Sequence, residues 1–204
     1  SNTDSSFNPS DTVLAVGGIT TPYIHAYIWN NSTGFGAKYG NPTSLPPNGV
    51  YGVNFNAAGN ALAVGHTITP WVTVYNWSSG FGGKYTTPVT LPSVNTTIYT
   101  TQFTPDDRAL VIGGSGTPFI EAYKWNNSTG FGVKYSNPAV LPTGVVNGLT
   151  ISAAGDFIAV AHTTTPYITV YAWNVNTGFG TKQTNPITLP TSNGTSTSFG
   201  NTLL

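Results

Sequence analysis

Pro22, Pro70, Pro118 and Pro166 stand 48 residues apart, and so do Trp29, Trp77, Trp125 and Trp173. A unit read four times constrains the fold more than composition does. Each copy must form the same supersecondary piece, and stacked neighbours must bury one another. Gly-Phe-Gly triplets at Gly34, Gly80, Gly130 and Gly178 keep the register. The second comes two residues early, because Ser78-Ser79 replaces a four-residue loop such as Asn30-Asn31-Ser32-Thr33, and the length returns after Pro92. Strand-like segments keep their length while connections trade residues. A second period overlies the first. Units one and three share Gly17-Gly18 and Gly113-Gly114; units two and four share His66-Thr67 and His162-Thr163. A duplicated two-unit block accounts for this.

Each unit reads as four short strands. A polar turn (Asn8-Pro9-Ser10-Asp11 and its copies) follows a first strand, with first strands expected at Val50 to Phe55, Ile98 to Phe103 and Val146 to Ile151. Pro, Asp and Gly there are turn residues. The second strands, Val13 to Val16, Ala61 to Val64, Ala109 to Ile112 and Phe157 to Val160, are apolar on both faces, as expected between two layers. The third strand alternates: Tyr23, His25, Tyr27 and Trp29 against Ile24, Ala26 and Ile28. Gly-Phe-Gly is read as a loop leading to a short fourth strand at Lys38-Tyr39, Lys84-Tyr85, Lys134-Tyr135 or Lys182-Gln183. No segment has helical periodicity, and Gly and Pro punctuate too often for one.

The pattern predicts an all-β chain: a β-propeller of four 48-residue blades, each a four-stranded antiparallel sheet, forming one domain over 1–204. The blade repeats run 7–54, 55–102, 103–150 and 151–198, with terminal strand segments at 1–6 and 195–204. The unit resembles WD40-like and YVTN-type blades, notably in Phe103-Thr104-Pro105-Asp106. The Trp-Asp and Gly-His hallmarks of WD40 repeats are missing, apart from Gly65-His66. A closer resemblance is to near-identical blade repeats of uncharacterised phage and environmental proteins, which implies a virion or cell-surface setting and no particular chemistry. First-strand slots occur five times, at Asn2 to Phe7, at the three strands above, and at Thr195 to Phe199. One is spare. Closure of a single ring, strand exchange between two chains, and a piece of a longer array all fit.

Charged residues are 6% of the chain and the formal net charge is zero, against about 25% charged in ordinary domains. No basic field exists to hold phosphates, so nucleic acid is not an expected partner. There is no Cys, hence no thiol or disulfide chemistry. No apolar run approaches the ~18 residues of a membrane helix, and membrane insertion is not expected. A coat of Asn, Thr, Ser and Gly suggests an extracellular or virion surface.

No catalytic constellation stands out, and the expectation is of a non-enzyme without cofactor or metal. Asp106 and Asp107 are turn neighbours rather than a glycosidase pair. Glu121 reads as a polar blade-edge position paired with a Lys. The four lysines at Lys38, Lys84, Lys134 and Lys182 read as edge guards. His66 and His162 have two readings: structural hydrogen bonding, or orienting a ligand. Loops at one face of the propeller present Thr21, His66, Thr67, Trp71, His162, Thr163 and Tyr167 as candidate ligand-binding residues. Aromatic planes with hydroxyls suit carbohydrate. The expected function is surface recognition or adhesion toward a glycan or protein; the alternative is a structural block that self-associates through its terminal strands.

Overall fold

The computed structural model describes residues 3–93 and 97–199. Asn95, a glycosylation sequon, Asn2 of the first-strand slot and the last residues of the terminal segment lie outside the described residues. Among the described residues, sixteen strands form four antiparallel sheets of four, each in sequence order. Blade one holds β1 (Ser5–Phe7), β2 (Val13–Gly17), β3 (Ile24–Asn30) and β4 (Gly34–Lys38). Blade two holds β5 (Val50–Phe55), β6 (Ala61–His66), β7 (Val72–Trp77) and β8 (Phe81–Lys84). Blade three holds β9 (Ile98–Phe103), β10 (Ala109–Gly114), β11 (Ile120–Asn126) and β12 (Gly130–Lys134). Blade four holds β13 (Val146–Ile151), β14 (Phe157–His162), β15 (Ile168–Asn174) and β16 (Gly178–Lys182). The architecture is that of four β-propeller blades. Repeat unit and sheet are out of phase: the last segment of each repeat is the first strand of the next sheet.

One detail differs from the sequence reading. Gly-Phe-Gly belongs to the fourth strand, which ends at the Lys. The cause is the Trp. Phe35, Phe131 and Phe179 pair across from Trp29, Trp125 and Trp173, and the rings meet edge to face at 5.0–5.3 Å. The leading glycine takes a positive φ, 79–92° in blades one, three and four, that turns the chain into the strand.

The core is three seams. Val13, Ala15, Ile24 and Ala26 of blade one bury Leu62, Val64, Tyr75 and Trp77 of blade two. The same positions repeat between blades two and three and between three and four. Tyr75, Tyr123 and Tyr171, one repeat position, are each fully buried, and such a side chain contributes roughly 1.5–3 kcal/mol by area. A second tyrosine crosses each seam from the end of the fourth strand. Tyr39, Tyr85 and Tyr135 lie edge to face on Trp77, Trp125 and Trp173 at 4.8–5.2 Å. Among the described residues, no hydrophobic cluster or hydrogen bond joins blade four to blade one.

The spare first-strand slot is filled. Gly194 donates its N–H to the His162 carbonyl at 3.1 Å, the bond that Val50 makes to Gly18 three repeats earlier at 2.9 Å. A Cβ on Gly148 would lie 2.7 Å from Ser196 Cα, just as one on Gly52 would lie 2.8 Å from Thr100 Cα. Residues 194–197 therefore sit against β13 as β9 sits against β5, extended but unpaired.

Candidate functional site in the axial cavity

The first strands β5, β9 and β13 share an irregularity. Val50 pairs with His66 and Gly52 with Gly65, so Tyr51 is an extra residue. Tyr99 and Asn147 are extra in the same way. A bulge at one repeat position re-aims a side chain out of the sheet. All three, with their counterparts Thr3 and Thr195, line one cavity of about 780 Å³ on the propeller axis. The Tyr51 and Tyr99 rings meet edge to face at 5.7 Å. Thr67, Thr97, Thr100, Ser196 and Thr197 add hydroxyls to the wall.

Asp4 is the acid of this wall. Its carboxylate accepts the Ser5 N–H at 2.8 Å and, across the seam, the Val53 N–H at 3.1 Å. Burial outweighs these bonds and raises its pKa above the ordinary aspartate value. Among the described residues the cavity lining contains no Lys, Arg or His. No group of three or more metal-ligating side chains occurs among the described residues.

Of the residues expected from sequence, Thr67 lines the cavity. His66 is wholly buried. Its Nδ1–H donates to the Ile68 carbonyl at 2.8 Å, and the Thr73 hydroxyl donates to Nε2 at 3.1 Å. A carbonyl only accepts, which fixes the tautomer. Burial lowers the His66 pKa to about 4. His162 repeats the bond to Thr169 at 3.0 Å, and burial pushes its pKa down as well. Thr21 stands exposed at the first of four cis Thr-Pro bonds. Each of these bonds closes a four-residue turn, and the aromatic after it takes φ of 64–69°. Trp71 is such an aromatic and packs on the seam of blades two and three. Tyr167 holds the same place on blade four, and Thr163 donates its N–H to the Val145 carbonyl. Glu121 is buried, ion-paired with Lys134 and bonded to the Ser93 hydroxyl at 2.8 Å.

Sequence reasoning missed Tyr51, Tyr99, Asn147 and Asp4. The signal was present in the 48-residue spacing of positions 3, 51, 99, 147 and 195, all polar or aromatic, within strands otherwise read as core.

No family model matches the chain, and no curated protein matches it. Solved structures do. A candidate 6-phosphogluconolactonase from Bacteroides fragilis overlays it with TM-score 0.73 at 17% identity, covering 95% of this chain and 56% of that one. A second, from Bacteroides uniformis, gives 0.71 at 16%, covering 92% and 55%. A chain of a mitotic checkpoint complex gives 0.65 at 19%, covering 95% and 55%. The chain thus spans about half the length of the structures it matches, and at these identities the likeness shows the fold. It also corrects one expectation. The chain was read as a non-enzyme, yet two of these neighbours are candidate lactonases, so its fold is shared with proteins assigned to catalysis. The sequence reading looked for paired acids on turns and set aside the weak first strand that carries Asp4.

Proposed function

We propose that the axial cavity binds a neutral, polyhydroxylated ring, a sugar or sugar lactone, with Asp4 as the proton-transfer group. The observation that carries this is the ring of bulged positions, Thr3, Tyr51, Tyr99, Asn147 and Thr195, around one wall with Asp4. Sugar C–H faces stack on aromatic rings while hydroxyl and amide groups take the ring's hydroxyls. A lining whose described residues include no Lys, Arg or His favours a neutral ligand over a phosphorylated one. A carboxyl with raised pKa suits general acid–base work. For a lactone, Asp4 as carboxylate takes a proton from water as its oxygen bonds to the ring carbonyl carbon. The bond from that carbon to the ring oxygen breaks, the ring oxygen takes the proton back from Asp4, and a hydroxy acid leaves. The amide- and hydroxyl-rich composition supports an extracellular or virion-surface setting, where a glycan is the available form of such a ligand.

The test pairs calorimetric titration of neutral sugars and sugar lactones with acid release measured in a pH-stat. Binding with acid release, and loss of release but not of binding in Asp4→Asn, supports the proposal. Absence of binding across the panel defeats it.

A further inference from the structure

Blades one and four each expose a face that is one half of a seam the molecule makes three times. On blade one, Phe7 is 43% and Phe35 63% exposed, whereas Phe55 and Phe103, the counterparts of Phe7, are 6% and 4%. On blade four, Ile168 and Val170 are half-buried where Ile120 and Ala122 are fully buried.

The turns carry the argument further. At the seam of blades two and three, Asp107 accepts the Ala57 N–H at 2.7 Å, the Ala58 N–H at 2.8 Å and the Asn56 amide at 2.9 Å. Asp11 holds the same repeat position on blade one, with φ of 51° against 55° for Asp107. Its carboxylate has no hydrogen bond among the described residues. Ala153 and Ala154 hold the positions of Ala57 and Ala58 on blade four, and their N–H groups are likewise unbonded among the described residues. Odd blades carry Pro9 and Pro105, which cannot donate; even blades carry Gly59 and Gly155, which cannot accept. Donor and acceptor turns are thus both present, unused, on the two open faces.

We propose that blade four of one copy docks on blade one of a second copy, Ala153 and Ala154 donating to Asp11, and that two such seams close one ring of eight blades. Four blades overlay 56% of the Bacteroides fragilis chain, so the turn from blade to blade leaves room for about three to four more, and a ring of two copies stands at the upper end of the range of about 4–8 blades for propellers. Residues 194–197 already lie in the next inner-strand slot. In the ring that slot passes to the second copy's β1, which keeps Asp4 on the axial wall, and residues 194–197 yield it.

Light scattering of the 204-residue chain is expected to give twice 21.4 kDa. Asp11→Gly and Ala153→Pro each install the residue that other blades carry at that position, so the blades still fold. Each is expected to raise the dimer dissociation constant about tenfold or more, the loss of a charge-assisted bond. A monomer overturns the proposal and leaves blades of a longer chain as the cover for these faces. A dimer indifferent to both changes, or an open polymer, overturns the assigned seam.

Discussion

Asp107 of blade three takes the backbone N–H of Ala57, on blade two, at 2.7 Å. The same carboxylate accepts from Ala58 and from the side chains of Asn56 and Asn127. One side chain therefore ties a turn of one sheet to the next. Asp107→Gly keeps the positive φ at no backbone cost and removes every acceptor. Stability should fall by about 1–3 kcal/mol, read as a lower urea midpoint at pH 7.

Tyr85 closes the same seam at its outer edge. Its ring meets Trp125 at 4.8 Å and its hydroxyl donates to the Asn127 carbonyl at 2.6 Å. Blade four has Gln183 at this position. Tyr85→Gln should destabilise by about 2–3 kcal/mol from lost burial and the aromatic pair. Tyr85→Phe should cost about 1 kcal/mol, the hydroxyl's share. Thermal unfolding of the pair separates the two contributions.

His66 makes stability depend on pH. Its folded pKa, about 4, lies below the ordinary 6.5, so the unfolded chain binds more protons between those values. The stabilisation is present above pH 6.5 and lost as pH falls toward 4, on the order of 3 kcal/mol at 1.36 kcal/mol per unit. His162 and His25, both lowered, act in the same direction. Asp4, raised, acts oppositely as pH climbs from 3.8 through its shifted value. His66→Gly, the residue of blades one and three at Gly18 and Gly114, should be less stable at pH 7 and show a shallower slope in urea titrations from pH 7 to 4.5.

Tyr99 tests the cavity apart from Asp4. Tyr99→Ala removes one of two rings on the wall and should weaken binding of a neutral sugar about tenfold, taking roughly 1–1.5 kcal/mol for the lost stacking. Tyr99→Phe should keep most of it. Calorimetry against one ligand reads both.

The blades were legible because Tyr27 and Trp29 repeat at a fixed spacing of 48 residues, and a sheet buried on both faces writes its core into every copy. The spare inner strand was legible for the same reason: Thr195 to Phe199 occupies a slot, and Gly194 makes the matching bond. The cavity was not. A bulge adds no distinctive residue and shifts alternation by one, so Tyr51 and Tyr99 read as strand residues like their neighbours. The pull of Trp71 into a seam depends on a positive φ after proline, which a period-two reading of the strand does not contain. Glu121 was read as pairing with a Lys, and Lys134 is its partner; adjacent strands bring them together at a spacing a repeat makes predictable.

The alternation of turns has a consequence for how such arrays grow. An alanine-and-glycine turn donates to the aspartate of the next blade, while a proline turn lays its ring beside the glycine of the next. Gaining or losing one blade would leave an aspartate facing a proline, or alanine donors facing a glycine. Parity is therefore built into the array: its heritable quantum is the pair of 96 residues, and rings with an odd blade count are mismatched at one joint.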